Sequence, residues 1–279
     1  MELQDTTVLL TGATGGIGVA LVATLVARGA HVLAVARDAA RLSALARAHP
    51  AGAVTPFAAD LTEAVDRAAL LARVRTLVPS PSVLLLAHAR PAFGLFPTQD
   101  DAELAALVET NLIAPMQLIR GLLPVLQSHP QAAVVAIGST FGSLAFPGFS
   151  AYSACKFGLR GLIEGLGREY ADTPVRFQYL APRATNTAFN SPAVNALNHA
   201  LGTRVDAPAA VAETLVRAIE HGTRRRQLGW PEALFARLNG VMPALVDRSL
   251  ARQLPLIRHH AGGFASAAFQ EHRHDPLAL

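Results

Sequence analysis

Apolar residues in this chain fall in two alternating patterns. Short unbroken runs at 6–11, 31–36, 54–59, 83–87, 132–138 and 175–181 read as strands. Most are apolar on both alternating sets, so neither face is meant for water, which predicts a parallel sheet covered on both sides. Between them, apolar residues recur every three or four positions. In 16–28, Ile17, Leu21 and Leu25 are spaced by four. Further helices are predicted over 39–48, with Asp38 as its cap, from Thr62 and Glu63 to about Leu77, and over 101–127, 150–171 and 208–221. Strands alternating with helices predict one α/β domain over 1–229, a doubly wound parallel sheet with helices on both faces. There is no internal repeat.

Past that point the pattern changes. Trp230-Pro231-Glu232 opens an amphipathic stretch over 230–260, and Pro243 is placed to divide it into two helices. Arg237, Arg248, Arg252 and Arg258 lie off its apolar face. Three uses compete: packing on this subunit or a sister copy, covering a greasy substrate entrance, or resting on an anionic membrane surface. The end, 261–279, is rich in His, Gly and Ala and reads as a fraying tail.

Composition narrows the class. Of 279 residues, 51% are hydrophobic and 16% charged, which excludes long-range disorder. The single Cys155 cannot form an internal disulfide. Met1-Glu2-Leu3-Gln4-Asp5 has no basic start and no apolar run, so no signal peptide is read. The charge-free stretch 121–155 is long enough to cross a bilayer, but Pro124, Pro130, Gly138, Gly142, Pro147 and Gly148 interrupt it. The expectation is a soluble, cytoplasmic protein. Net charge is +4, yet the only dense basic cluster is Arg224-Arg225-Arg226, with no interleaved aromatics, so no nucleic-acid partner is expected. No metal site is expected either. Among 24 basic residues only Lys156 is a lysine, which marks a place that needs a compact ammonium.

Two constellations carry chemistry. Thr11-Gly12-Ala13-Thr14-Gly15-Gly16-Ile17-Gly18 joins the first strand to the first helix. Gly12 permits a tight turn, Gly16 a close approach to a diphosphate and Gly18 close helix–strand packing, as in Rossmann-like folds. At the end of the second strand, where an acid would hold a ribose 2′-hydroxyl, stand Ala36 and Arg37. That favours NADP(H) over NAD(H), with Arg41 as a further candidate. Asp60 and Leu61 follow the third strand, placed either to meet an adenine or to start the next helix. The second constellation is Tyr152 and Lys156, one helical turn apart. An ammonium beside a phenol lowers its pKa, giving a group that trades protons. Ser139, at the end of the fifth strand, is placed to polarise a carbonyl. Asn111 lies inside the long helix, either as a solvated residue or as a break that admits a water.

With these motifs, the chain resembles the short-chain dehydrogenase/reductase family over roughly residues 3–223. Ser139, Tyr152 and Lys156 match its catalytic set, and Asn111, in Glu109-Thr110-Asn111-Leu112, matches the fourth member. The resemblance implies that Tyr152 is the general acid in reduction and the base in oxidation. Lys156 would hold the nicotinamide ribose and lower the tyrosine pKa, Ser139 would bind the carbonyl oxygen, and Asn111 would hold a relay water. It also implies cofactor contacts at Thr14, Gly15, Ile17, Ala89, Thr185 and Thr187, and a homodimer or homotetramer. Three departures stand out. The usual Asn-Asn-Ala-Gly is here Ala87-His88-Ala89-Arg90, which removes a hydrogen-bonding strut. The usual Pro-Gly is Pro182-Arg183, where Arg183 either steers an anionic substrate or points to solvent. No basic residue precedes Gly16, because position 15 is Gly.

Segments 91–96 and 141–147, with Ala188 and Phe189, are apolar, so a hydrophobic carbonyl substrate is favoured, acyl chains included; 190–205 is read as a variable lid. The alternatives are a 3-oxoacyl-carrier-protein reductase, a non-catalytic NADP(H)-sensing module suggested by the altered 87–90 segment, and a membrane-surface scaffold acting through 230–260.

Overall fold

The computed structural model describes residues 1–262. Seven strands form one sheet, all parallel: β1 (Thr7–Thr11), β2 (His31–Ala36), β3 (Val54–Ala58), β4 (Val83–Leu86), β5 (Ala132–Ile137), β6 (Val175–Ala181) and β7 (Arg225–Gln227). Their order is β3-β2-β1-β4-β5-β6-β7. β1, β4 and β5 are buried at every position, as their unbroken apolar runs require. β3 lies at an edge, where Pro56 leaves no interior partner without an N–H.

The helices are α1 (Gly16–Ala27), α2 (Ala39–Arg47), α3 (Ala64–Thr76), α4 (Asp101–Val108), α5 (Ala114–Gln127), α6 (Ser150–Glu169), α7 (Pro192–Ala200), α8 (Pro208–Glu220), α9 (Glu232–Val241) and α10 (Pro243–His260). One core packs α1, α2 and α8 on a face of the sheet through Leu21, Leu25, Leu42 and Leu215. The other packs α3, α5 and α6 on the opposite face through Leu70, Leu118, Leu122 and Leu159. Asp38 caps α2 as expected, accepting from the Arg41 N–H at 2.9 Å.

Three features differ from the sequence expectation. A seventh strand, β7, holds two of the three clustered arginines beside β6, and Arg225 pairs with Glu164 of α6 at 2.8 Å. The lid at 190–205 contains α7, started by the Ser191 hydroxyl, which accepts from the Val194 N–H. The long helix over 101–127 is interrupted: at Glu109–Ile113 the ladder widens by one residue, and the Ala114 N–H bonds the Glu109 carbonyl. Pro115 supplies the reason, since it has no N–H to give the Asn111 carbonyl four residues back. The tail expected at 261–279 lies, beyond Gly262, outside the described residues.

Pro243 does separate two C-terminal helices. α10 is anchored by the buried Val246 and Ile257 and packs against α7 and α9, so it covers its own subunit. Among the described residues, no helix is long and apolar enough to cross a membrane.

Candidate active site

The chain runs from β1 toward β2 on one side and from β4 toward β5 on the other, so a crevice opens at the carboxyl ends of these two central strands. Thr11-Gly12 leads into it. Gly12 has φ +68°, and a Cβ there would lie 2.7 Å from the His88 nitrogen. A Cβ on Gly16 would lie 2.4 Å from the Thr187 methyl, and one on Gly18 only 2.1 Å from the Gly12 carbonyl oxygen. Each motif glycine therefore meets a separate steric demand. The N-cap of α1, Gly15, offers no side chain to the first turn, and that turn has no acid. Its backbone N–H groups are left to the crevice, with the positive end of the helix dipole behind them. This is a fit for a dinucleotide diphosphate. Thr14 presents its carbonyl to Arg41, whose guanidinium donates to it at 2.7 Å. Arg41 thus sits at the rim of the glycine loop.

Asp60 is occupied locally: its carboxylate accepts from the Thr62 N–H at 3.0 Å and the Thr62 hydroxyl at 2.7 Å. Burial works to raise its pKa, but those hydrogen bonds and the positive charge of Arg37 hold it below the usual carboxylate value. Leu61 is buried in the core under α3.

At the end of β4 the expected loss of a strut is not what the structure has. His88 supplies one: its Nδ1 lies 2.7 Å from the Thr11 hydroxyl, which also accepts from the Ala87 N–H. Burial and the nearby Lys156 charge push the His88 pKa down to about 4, so its ring is neutral. Asn111 clamps the next turn. Its Oδ1 accepts from the Arg90 N–H at 2.7 Å and its Nδ2 donates to the Arg90 carbonyl at 2.9 Å. The side-chain amide is thus committed to backbone, and Pro115 has no N–H to offer the Asn111 carbonyl. The Arg90 side chain turns outward to Glu103, and Ala89 keeps the segment's inner surface small.

Ser139, Tyr152 and Lys156 meet at the ends of β5 and α6. Ser139 accepts from the Phe141 N–H at 3.1 Å, and its hydroxyl draws the Tyr152 phenol toward a lower pKa. Tyr152 and Lys156 are both buried, and the ammonium lies 5.6 Å from the phenol ring centroid while donating to the Ile137 carbonyl at 3.2 Å. The sequence expectation of an acidified phenol is corrected here. Burial pushes Tyr152 well above its ordinary pKa, against the pull of the Ser139 hydroxyl. The ammonium stands over the ring and bonds the Ile137 carbonyl. Burial also lowers Lys156 to about 8.

Tyr179, unremarked in the sequence, supports this group. Its hydroxyl donates to the Lys156 carbonyl at 3.3 Å and lies 3.4 Å from the Ser139 N–H. A Cβ on Gly138 would strike its ring at 2.2 Å, and one on Gly142 its hydroxyl at 1.9 Å. The glycines flanking Ser139 were the available signal: they make room for a large neighbour.

Over the phenol stands an aromatic wall. Phe141 meets Tyr152 edge-on at 6.5 Å and Phe189 lies 6.2 Å away on the lid side. Phe93, Phe146 and Phe149 continue the wall through contacts at 4.7–5.3 Å. Arg183 neither steers a substrate nor points to solvent. It pairs with both oxygens of Asp206 at 2.7 and 2.8 Å and with Glu232 at 3.4 Å. It thereby ties the loop carrying Thr185 and Thr187 to the end of the lid and the start of α9.

Comparison with known proteins agrees with this geometry. A model of the short chain dehydrogenase family matches residues 6–198. An uncharacterized oxidoreductase, YmfI of Bacillus subtilis, is 31% identical over 192 residues, covering 66% of this chain and 76% of its own. The ketoacyl reductase HetN of a Nostoc species is 29% identical over 231 residues, covering 79% and 77%. Among solved structures, a short-chain dehydrogenase from Streptomyces avermitilis superposes with TM-score 0.76 at 29% identity, covering 92% of this chain and 99% of its own. Another from Sphingobium yanoikuyae, in complex with NADPH, gives 0.73 at 27%, covering 87% and 95%. The chain belongs to the short-chain dehydrogenase/reductase family, oxidoreductases acting on the CH–OH/C=O pair.

Proposed function

We propose that this protein is an NADP(H)-dependent reductase of ketones on hydrophobic substrates. The observation that carries the reading is the buried Tyr152 phenol, stacked against the buried Lys156 ammonium at 5.6 Å and walled by phenylalanines. When bound, the nicotinamide dinucleotide supplies or takes the hydride. The residues do the rest. A carbonyl oxygen held between Tyr152 Oη and Ser139 Oγ accepts the Ser139 hydrogen bond and the phenol proton. The phenolate left behind is stabilised by the Lys156 ammonium. Asn111 keeps the Arg90 backbone in place beside the crevice. Gly12, Gly16 and Gly18, with the first N–H groups of α1, hold the diphosphate, and Thr187 closes over it.

Arg37 and Arg41, with no acid at the end of β2, favour a 2′-phosphate. The NADPH-bound structure from Sphingobium yanoikuyae supports a nicotinamide cofactor of this kind. A paired titration of the purified protein is expected to give NADPH binding at least about tenfold tighter than NADH, because a hydrogen bond to a charged group contributes roughly 1.5–3 kcal/mol. Arg37→Glu with Arg41→Glu should erase the difference. Equal affinities in the wild type would overturn the preference.

A second reading, a reductase of 3-oxoacyl groups carried on an acyl-carrier protein, draws on the ketoacyl reductase HetN and the 3-oxoacyl-[acyl-carrier-protein] reductase FabG of Escherichia coli, the latter 27% identical over 185 residues. Turnover of a carrier-linked against a free 3-oxoacyl thioester separates the two.

A further inference from the structure

The aromatic wall over Tyr152 does not end at the phenol. Phe146 stacks on Phe141 at 5.3 Å and forms, with Pro147, one side of a trough of about 380 Å³. The other side is α10. Its residues Asp247, Leu250, Ala251 and Leu254 fall at i, i+3, i+4 and i+7, a single stripe turned to the trough. The volume is in the range of small-molecule sites. The helix that makes this wall is fixed in place. Val246 and Ile257 are buried on either side of the stripe. A Cβ on Gly148 would lie 3.5 Å from Ile257 and 2.9 Å from Phe93, and the Gly148 carbonyl accepts from the Gly94 N–H at 2.9 Å. Two loops and α10 are thereby joined into one rim.

Phe146, Pro147, Leu250 and Leu254 are each left half-buried, an apolar surface that the fold itself does not fill. The small Ala251 at the middle of the stripe keeps the floor open. The only charge among the lining residues is the Asp247 carboxylate, toward the start of α10. It disfavours an anionic tail end.

We propose that this trough is a tail subsite: it holds the neutral alkyl chain of a ketone whose carbonyl lies at Tyr152. The occupant is argued from proximity: the Phe141 ring meets Tyr152 at 6.5 Å and Phe146 at 5.3 Å, and Phe146 lines the trough. The inference rests on the carbonyl-reductase reading and specifies its substrate class as long-chain alkyl ketones.

The test compares 2-butanone with 2-tridecanone, and in parallel measures displacement of the neutral fluorophore N-phenyl-1-naphthylamine from the cofactor-free protein. Each buried methylene contributes about three- to fourfold. The wild-type ratio of kcat/KM, long over short, is therefore expected to exceed about 100, with several methylenes in the trough. Ala251→Trp, which fills the floor, should lower that ratio about tenfold or more and abolish displacement by 2-tridecanone. Leu254→Asn should do so more weakly. Since Ala251 is exposed, the tryptophan does not threaten the core. A ratio near one, or a ratio that Ala251→Trp leaves unchanged together with unchanged displacement, overturns the subsite. Displacement that is lost in Ala251→Trp, in a protein that oxidises NADPH with no ketone, would uphold the subsite and remove the reductase reading instead.

Discussion

Replacing Tyr152 by Phe is expected to lower kcat for ketone reduction by about 10²–10⁴-fold, the usual worth of a positioned general acid. NADPH affinity should change by less than about twofold. The ring contacts with Phe141 and Phe189 are retained, because only the oxygen is lost. Ser139 keeps its partner, the Phe141 N–H. Stability should therefore shift by no more than about 1 kcal/mol, the net worth of one hydrogen bond. Stopped-flow NADPH oxidation, fluorescence titration and thermal melting check the three parts. Substantial turnover in Tyr152→Phe would remove the phenol from the reaction.

The second large effect concerns Lys156, and its two parts have opposite signs. Lys156→Met should abolish turnover to a comparable degree, since the phenolate formed in reduction loses its cation. The same change should raise the melting temperature of the cofactor-free protein at pH 7. Lys156 is 3% exposed, and its ammonium donates to the Ile137 carbonyl. Burial brings its pKa from 10.5 to about 8, so the folded state carries the cost of a desolvated charge at neutral pH. The sign follows from proton counts. Below about pH 8 the lysine is charged in both states and the cost is complete. Between about 8 and 10.5 the unfolded chain holds more protons than the folded one, so wild-type stability rises with pH relative to the variant. The advantage of Lys156→Met, on the order of 1–3 kcal/mol at pH 7, should shrink toward pH 10. A variant less stable than wild type at every pH would mean that the ammonium is well paired and not strained by burial.

What could be read from the sequence, and what could not, divides on range. The glycine loop and the Tyr152–Lys156 spacing are local, and the lone lysine in an arginine-rich chain was visible by counting. The parallel sheet followed from unbroken apolar runs such as Val8-Leu9-Leu10. β7 did not, because three residues with two arginines carry no strand pattern; their extended form comes from lying beside β6. The widened turn at Glu109–Ile113 required setting Pro115 against a carbonyl four residues earlier. α7 has a start signal in Ser191-Pro192, inside the segment whose sequence otherwise reads as a variable lid. The Arg183 latch joins partners 23 and 49 residues away, which no local pattern reports. The direction of the Tyr152 shift was misread for a similar reason. Proximity to Lys156 is local, but burial under Phe141 and Phe189 is tertiary, and in the cofactor-free chain burial outweighs it.

That last point decides the most direct test of the central claim, that a buried, protonated phenol delivers the proton while a separate buried ammonium sustains it. The measurement is kcat/KM for NADPH-dependent reduction of an apolar ketone across pH 6 to 10. With Tyr152 raised by burial, it stays protonated through this range, so an alkaline limb belongs to Lys156. The profile should be flat at low pH and fall with an apparent pKa near the free-enzyme lysine value of about 8. A profile still flat at pH 10 would contradict the account.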